Sequence, residues 1–402
     1  MAERTILHCD LNCFFASVEL LSYPQLRDNP VAVCGDPEQR HGIILAKNEA
    51  AKKMGVATAE TIWQAKRKCP ELICLPPHHT LYREYSEKVN KIYEQYTDLV
   101  EPFGIDESWL DITGTMHLFH KNGPSIADEL RERIRKELGL TISVGVSFNK
   151  VFAKLGSDYK KPDATTVISQ NNWQELLFPL PVGTLLFVGK AAQAALQQYG
   201  VKTIGDLAAF PEASLESLFG KLGSQLHRYA CGLDDSPVLS REQQEPVKSV
   251  GNGSTFPQDL TSRSQVRKQL SFLSEQVAIR LRQVGLRCCS VCVTIRDTSF
   301  HTITRQKQLA HSSFLTQEIS AAAMELVEHS WHFPNPIRML TVTAIHLVPA
   351  EEAFQQTSLF SNTSIDERND KLEKLELTMD SIRQRYGSDA ICYGHHFSEH
   401  EH

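Results

Sequence analysis

VEPFGIDESWLDIT, residues Val100 to Thr113, sets Gly104-Ile105-Asp106-Glu107 between two β-prone arms and predicts a hairpin carrying two acids at its tip. Upstream, Thr5 to Leu11 reads as a strand with Asp10 at its end, and FFASVELL from Phe14 reads as the start of a buried helix. Asn48 to Met54 and Thr61 to Cys69 are expected as short helices. Leu81, Tyr85, Val89, Ile92, Tyr96 and Leu99 recur at three and four residues, one face of a long helix. Downstream, Gly123-Pro124 reads as a breaker before a helix on Ile126, Leu130, Ile134 and Leu138. Ile142, Val144, Val146 and Phe148 alternate as a strand, Asn149 to Tyr159 is helical, and Thr165 to Ile168 is a last strand. That order predicts an antiparallel-rich sheet with helices on one face, an α+β layer.

Beyond it, Asn172 to about Asp235 is helical, with GKAAQAALQQYGVKTIGDLAAF at its centre. There Gly200 stops one short helix and Thr203 caps the next. Helical hairpins of this size often hold DNA backbone on main-chain amides, although the pattern alone is common. Ser236 to Val247 is polar, carries two prolines and reads as a linker. A second small α+β region follows, with a basic helix over Ser264 to Val284, and the tail ends in an amphipathic helix on Leu372, Leu375, Met379, Ile382 and Tyr386.

The chain of 402 residues is long enough for two to four domains, and its 41% hydrophobic and 22% charged residues are ordinary for a globular protein. No apolar run is long enough to span a membrane, and MAERTILHCD lacks the pattern of a secretory signal, so a cytosolic protein is expected. The ten cysteines then read as reduced thiols. Cys289 and Cys292 have the spacing of half a zinc knuckle, but no second pair stands at a matching distance and CCSVCVTI reads as a strand. Net charge is −6, yet Pro246 to Ala310 holds ten Lys and Arg against three acids. Pro349 to His402 holds eleven acids against five bases. A basic module beside an acidic tail fits a protein that touches phosphate with one part only; a merely solvated charged face is the plain alternative.

If the first strand pairs beside the hairpin, Asp10, Asp106 and Glu107 converge at one sheet edge. Such a cluster is costly unless divalent cations fill it, and Mg²⁺ suits hard carboxylate oxygens. The simpler alternative makes Asp10 a helix cap and Asp106-Glu107 turn chemistry.

HCDLNCFFASVE (His8 to Glu19), GIDESWLDIT (Gly104 to Thr113) and VGVSFNKVFAKLGSDYKKP (Val144 to Pro162) resemble, in order and near the usual spacing, the three catalytic motifs of the Y-family DNA polymerases. The bacterial DNA polymerase IV branch is the nearest, and the resemblance runs from about Thr5 to Leu347. It implies a right-hand polymerase with a ferredoxin-like palm (1–13 and 78–168), fingers (14–77) and a helical thumb (169–235). A linker (236–247), a little finger (248–349) and a tail (350–402) complete it. The implied activity is error-prone, template-directed translesion synthesis, adding dNMP from dNTP to a primer 3′-hydroxyl with release of pyrophosphate.

By position, Asp10, Asp106 and Glu107, with the Leu11 carbonyl, become ligands of two Mg²⁺ ions. Phe15 becomes the steric gate against a 2′-hydroxyl, and Lys161 the triphosphate lysine. Phe14 and Phe15 read otherwise as core aromatics, and Phe14 is expected to be one although it borders the nucleotide. One departure stands out: where the family commonly has Tyr and Arg on the triphosphate, this chain has Glu49 and Lys52. Lys52 supplies charge without a bidentate fork, assisted by Lys47, and Glu49 cannot donate. Arg263, Lys268, Arg280, Arg282, Arg296 and Arg305 are the expected contacts to primer–template phosphates.

Gln356-Thr357-Ser358-Leu359-Phe360 resembles the bacterial sliding-clamp peptide, with Gln356, Ser358, Leu359 and Phe360 as its anchors. The expected partners are thus DNA, dNTP and the clamp, with the chain a monomer at the nucleoid and no membrane association. Two competitors are weaker. A nucleotide cyclase on a similar palm needs neither the basic module nor the clamp peptide, and a non-catalytic scaffold would be free to lose the three carboxylates. No Gly-x₄-Gly-Lys-[Ser/Thr] loop occurs, which argues against a P-loop ATPase.

Overall fold

The computed structural model describes residues 4–36, 42–351 and 363–393, which leaves Gln356 to Phe360 and the terminal histidines outside the described residues. The chain divides into two compact units, Met1–Gln244 and Glu245–His402, with the boundary in the polar segment after Ser236. Each is a mixed α+β body.

In the first unit, β1 (Ile6–Leu11) leads into α1 (Phe14–Ser22). A three-stranded sheet of β2 (Val31–Cys34), β3 (Ile44–Lys47) and β4 (Ile73–Leu75) follows, carrying α2 (Glu49–Lys53) and α3 (Ile62–Lys68). The chain returns through α4 (His79–Tyr93), the hairpin β5 (Val100–Pro102) and β6 (Glu107–Asp111), α5 (Met116–Phe119), α6 (Gly123–Leu138), β7 (Ile142–Ser147), α7 (Lys150–Tyr159) and β8 (Thr165–Ile168). These strands form a sheet in the order β5-β6-β1-β7-β8, with β1 at its centre.

Alternation along β1 sorts the two faces. Leu7, Cys9 and Leu11 join Val144 and Val146 of β7 in a core with Ile126, Leu130 and Ile134 of α6 and Tyr93 of α4. Ile6, His8 and Asp10 point the other way, and there α7 crosses the sheet: a Cβ on Gly145 would lie 1.8 Å from the Ala153 carbonyl oxygen. The expectation of helices on one face is therefore corrected. The small residue at Gly145 lets α7 lie directly on the second face, the one that carries Asp10.

Two local expectations also shift. Gly123-Pro124 begins α6 rather than breaking the chain before it: Asn122 caps Ser125 N, and proline loses nothing in the first turn, where its N–H has no partner. The long helix stops at Tyr93; Tyr96 lies beyond it yet is still buried, its ring stacked on Phe119. Five helices, α8 (Trp173–Leu177), α9 (Lys190–Gln198), α10 (Ile204–Ala209), α11 (Glu212–Phe219) and α12 (Lys221–Ala230), close the unit around an apolar cluster shared with Val151, Phe152 and Leu155 of α7 and Ile168 of β8.

The second unit is a sheet in the order β11-β10-β12-β9, from β9 (Ser249–Leu260), β10 (Leu286–Asp297), β11 (Thr302–Ser313) and β12 (Ile337–Pro349). Val291, Val293 and Ile295 of β10 meet Val266, Leu270 and Val277 of α13 (Arg263–Gln283) and Ile319 and Val327 of α14 (Thr316–Ser330). A last helix, α15 (Thr363–Tyr386), packs on this unit. Its buried side keeps only part of the predicted apolar stripe: Met379 is buried and Leu372 packs on the core, but Leu375 and Tyr386 are exposed and the acid Glu376 is buried beside them. Ion pairs turn the helix. Arg282 binds Glu376 and Asp380, Arg287 binds Glu373, and Arg383 binds Glu275.

Candidate active site

Asp10 and Glu107 sit directly opposite each other on the antiparallel strands β1 and β6. Leu11 N donates to Asp106 O at 3.0 Å, so Leu11 and Asp106 form a hydrogen-bonded pair and the Asp10–Glu107 pair falls at the closer, non-hydrogen-bonded spacing. Asp106 precedes β6 in a turn that Gly104 makes with φ +91 and that Phe103 N closes onto Glu107 O at 2.8 Å. Three acids from two distant stretches thus come to one end of the sheet.

The second face supplies the cations. Asn149 caps α7 through Phe152 N, and the helix aims Lys154 at Glu107, with which it forms an ion pair. One turn on, Asp158 meets Lys161 at 2.7 Å, and Lys161 Nζ reaches Asp10 Oδ2 at 2.6 Å. Behind them, His8 is fully buried and its Nδ1 lies 2.8 Å from Ser157 Oγ. That hydroxyl spends its proton on the Lys154 carbonyl, so Nδ1 must be the donor. His8 Nε2 then faces Glu107 Oε2 at 3.4 Å without an aligned hydrogen bond.

These surroundings push the acids apart. Burial raises Asp10 to about 7 despite Lys161. Burial also raises Asp106, and the charge of Glu107 adds to the effect. Glu107 goes the other way: burial alone would raise it, but the Lys154 ammonium paired with it draws it down to about 2. Burial lowers His8, and it would lower Lys161 too, were the carboxylates of Asp10 and Asp158 not holding that ammonium above its ordinary value. Among the described residues, no three His, Cys, Asp or Glu side chains are drawn together tightly enough to hold a metal ion as they stand; Asp10 and Glu107 are turned onto lysines instead. The donor set nevertheless fits a hard divalent ion. It consists of carboxylate oxygens, and the two raised acids are short of positive charge.

Beside the carboxylates, Asn12 is pinned by Ser143 Oγ at 2.8 Å and Cys13 turns with φ 50, starting α1. Phe14 enters the core, while Phe15 is only partly buried and stacks on Tyr82 at 4.1 Å between centroids. Tyr82 is fixed in turn by the buried Glu19, which also accepts from His78. Across the gap, Glu49 Oε1 accepts from Cys13 Sγ at 3.4 Å and lies 3.4 Å from Lys52 Nζ, and Lys47 Nζ donates to Thr58. Sequence reasoning missed His8, Lys154, Asp158 and Tyr82; of these only Asp158 had a local signal, its i, i+3 spacing to Lys161.

In the second unit the six expected phosphate contacts do not share one face. Arg263, Lys268 and Arg280 are exposed on α13. Arg296 follows the buried Ile295 and so projects from the open side of the sheet, whereas Arg305, on the edge strand, is paired with the buried Val293. Arg282 is a correction: its side chain is 3% exposed and grips Glu376 and Asp380, so it does not meet DNA.

The chain matches the family model described as the impB/mucB/samB family over residues 9–158 and that family's C-terminal domain over 247–359. A model for the DNA polymerase-iota thumb domain matches residues 187–234. It is 48% identical over 392 residues to DNA polymerase IV of Acetivibrio thermocellus, covering 98% of this chain and 97% of that one. With DNA polymerase IV 1 of Bacillus subtilis the identity is 37%, covering 98% and 93%. Among solved structures, the Y-family DNA polymerase chimera Dbh-Dpo4(243-245)-Dbh shares the fold, with a TM-score of 0.76 at 22% identity over 86% of this chain and 99% of that one. Motifs, fold and near-full-length relatives agree that the chain belongs to the Y family of DNA polymerases, in the DNA polymerase IV branch, and is a DNA-directed DNA polymerase of translesion synthesis.

Proposed function

We propose that this polymerase joins dNMP to the primer 3′-hydroxyl with two Mg²⁺ ions held by Asp10, Asp106, Glu107 and the Leu11 carbonyl. The observation that carries the reading is the Asp10–Glu107 cross-strand pair, whose buried Asp10 stays raised to about 7 even with Lys161 against it. Bound there, the ions would supply the charge that makes the primer hydroxyl a nucleophile and offsets the leaving pyrophosphate. The protein's own groups do the rest. Glu107, drawn down to about 2, stays ionised at every working pH. Lys161 leaves Asp10 for the triphosphate and neutralises charge as it develops. Phe15, braced by Tyr82 and Glu19, presents its ring to C2′ of the incoming sugar and rejects a 2′-hydroxyl. Lys52 and Lys47 take the place of the family's Tyr and Arg on the phosphates.

The same reading assigns residues 1–13 and 78–168 to the palm, 14–77 to the fingers, 169–235 to the thumb, 248–349 to the little finger and 350–402 to the tail. The exposed bases Arg263, Lys268, Arg280 and Arg305, with the half-buried Arg296, hold duplex phosphates, and Gln356 to Phe360 tethers a monomeric polymerase to the sliding clamp in the cytoplasm. Primer extension with each dNTP tests the chemistry. Asp106→Ala with Glu107→Ala should lower the rate by at least about 10³-fold, because several kcal/mol of transition-state stabilisation goes with the ions. DNA binding should persist; extension that survives the change removes the mechanism. Deleting Gln356 to Phe360 should abolish stimulation by the clamp and leave basal extension unchanged.

A further inference from the structure

The fingers carry a surface that the carboxylate chemistry does not use. Helix α3 is held by a reciprocal cap between Thr61 and Gln64, and it buries Ile62 and Ala65. Its other side leaves Trp63 66% exposed, with the Arg67 guanidinium 4.9 Å from the ring centroid. An indole set so far into water lacks the burial that usually repays so large an apolar side chain. Bases surround it. From Lys47 to Lys68 the chain has six Lys and Arg against two acids, within a protein whose net charge is −6. Lys53, Lys66 and Arg67 are exposed, and among the described residues Lys66 and Arg67 make no ion pair. Lys68 is the structural member, tied to Glu60 at 2.6 Å and to the Gly55 carbonyl. The patch belongs to the small sheet whose α2 reaches Cys13, two residues from Phe15.

We propose that Trp63 and Arg67 form a stacking platform for the unpaired template strand ahead of the primer terminus. A base still in a duplex has both faces covered, whereas an unpaired base offers a free π-face to an indole layered on a guanidinium. Lys53 and Lys66 supply charge for the phosphates on either side. The proposal needs only that the chain is a DNA polymerase; it does not depend on how the metal ions are held.

Fluorescence anisotropy of the full chain on two labelled DNAs tests it, one a primer–template with a long 5′ template overhang and the other the same duplex blunt-ended. Trp63→Ala should weaken binding to the overhang DNA by about 5- to 150-fold, the range expected for one lost base–aromatic stack, and leave blunt-duplex binding unchanged. Trp63→Phe should restore most of the loss, and Arg67→Ala should give a smaller loss with a shallower salt dependence. Equal losses on both DNAs, or no loss on either, would overturn the proposal. The second result would mark the patch as a surface for something other than nucleic acid.

Discussion

Two buried clusters of acids and bases, one in each unit, use similar groups to opposite ends. In the second unit the Arg282 fork reaches Glu376 and Asp380, and Glu376 also accepts from Thr316 N at 3.0 Å, from the Thr316 hydroxyl and from Tyr393. Nearly every lone pair is matched and Arg282 is 3% exposed, so the cluster is a clasp that locks α15 in place. Burial raises the acid in both clusters, Glu376 as well as Asp10, but at the end of the palm sheet the cations are lysines on flexible stems, Lys161 26% and Lys154 16% exposed. A satisfied cluster holds structure. A cluster left short of positive charge can exchange its cations.

The contrast can be broken at either end. Arg282→Ala strands Glu376 without its counter-charge and should cost about 3–5 kcal/mol, seen as a lower urea midpoint for the transition of the second unit. An unchanged midpoint would mean that the clasp holds nothing.

The palm cluster should respond in the opposite sense. The folded-state value of Asp10, about 7, lies above its ordinary 3.8, so its contribution to stability is full below pH 3.8 and is lost as pH rises through 7. In buffer free of divalent ions, Asp10→Asn should therefore stabilise the protein at pH 8 by on the order of 1–3 kcal/mol and hardly at all at pH 4. Denaturant midpoints at the two pH values decide it; a variant less stable at pH 8 contradicts the assignment of strain to that carboxylate. The smallest effect should come from Arg282→Lys. It keeps the charge but loses the fork, at about 1 kcal/mol by the same urea measurement.

Much of this was legible in the sequence where the physics is local. The hairpin around Asp106, the short helices capped at Asn48 and Thr61, and the helix on Ile126 to Leu138 follow from turn residues, caps and periodicity, and the structure has each of them. What was hidden depends on pairing across long chain separations. Counting bases from Pro246 onward cannot tell that Arg282 faces inward while Arg280 faces water, because the partners of Arg282 lie nearly a hundred residues later. The apolar spacing of α15 marked Leu372 and Met379 correctly but also pointed to Leu375 and Tyr386, which stay exposed because ion pairs from Glu373, Glu376 and Asp380 set its rotation. The place of α7 on the second face turned on one glycine, Gly145, inside a strand that otherwise reads as plain alternation. In the site, the three acids were legible through motif resemblance; Lys154 and Tyr82 were not, since nothing local marks which lysine meets Glu107 or which ring braces Phe15.

The most direct test is a count of bound ions. Mn²⁺ is titrated into the protein with dNTP and a primer–template lacking a 3′-hydroxyl, and bound ion is read by electron paramagnetic resonance. The account predicts two ions per chain, and loss of both when Asp106 and Glu107 are replaced by alanine. Two ions retained on that double variant would contradict it.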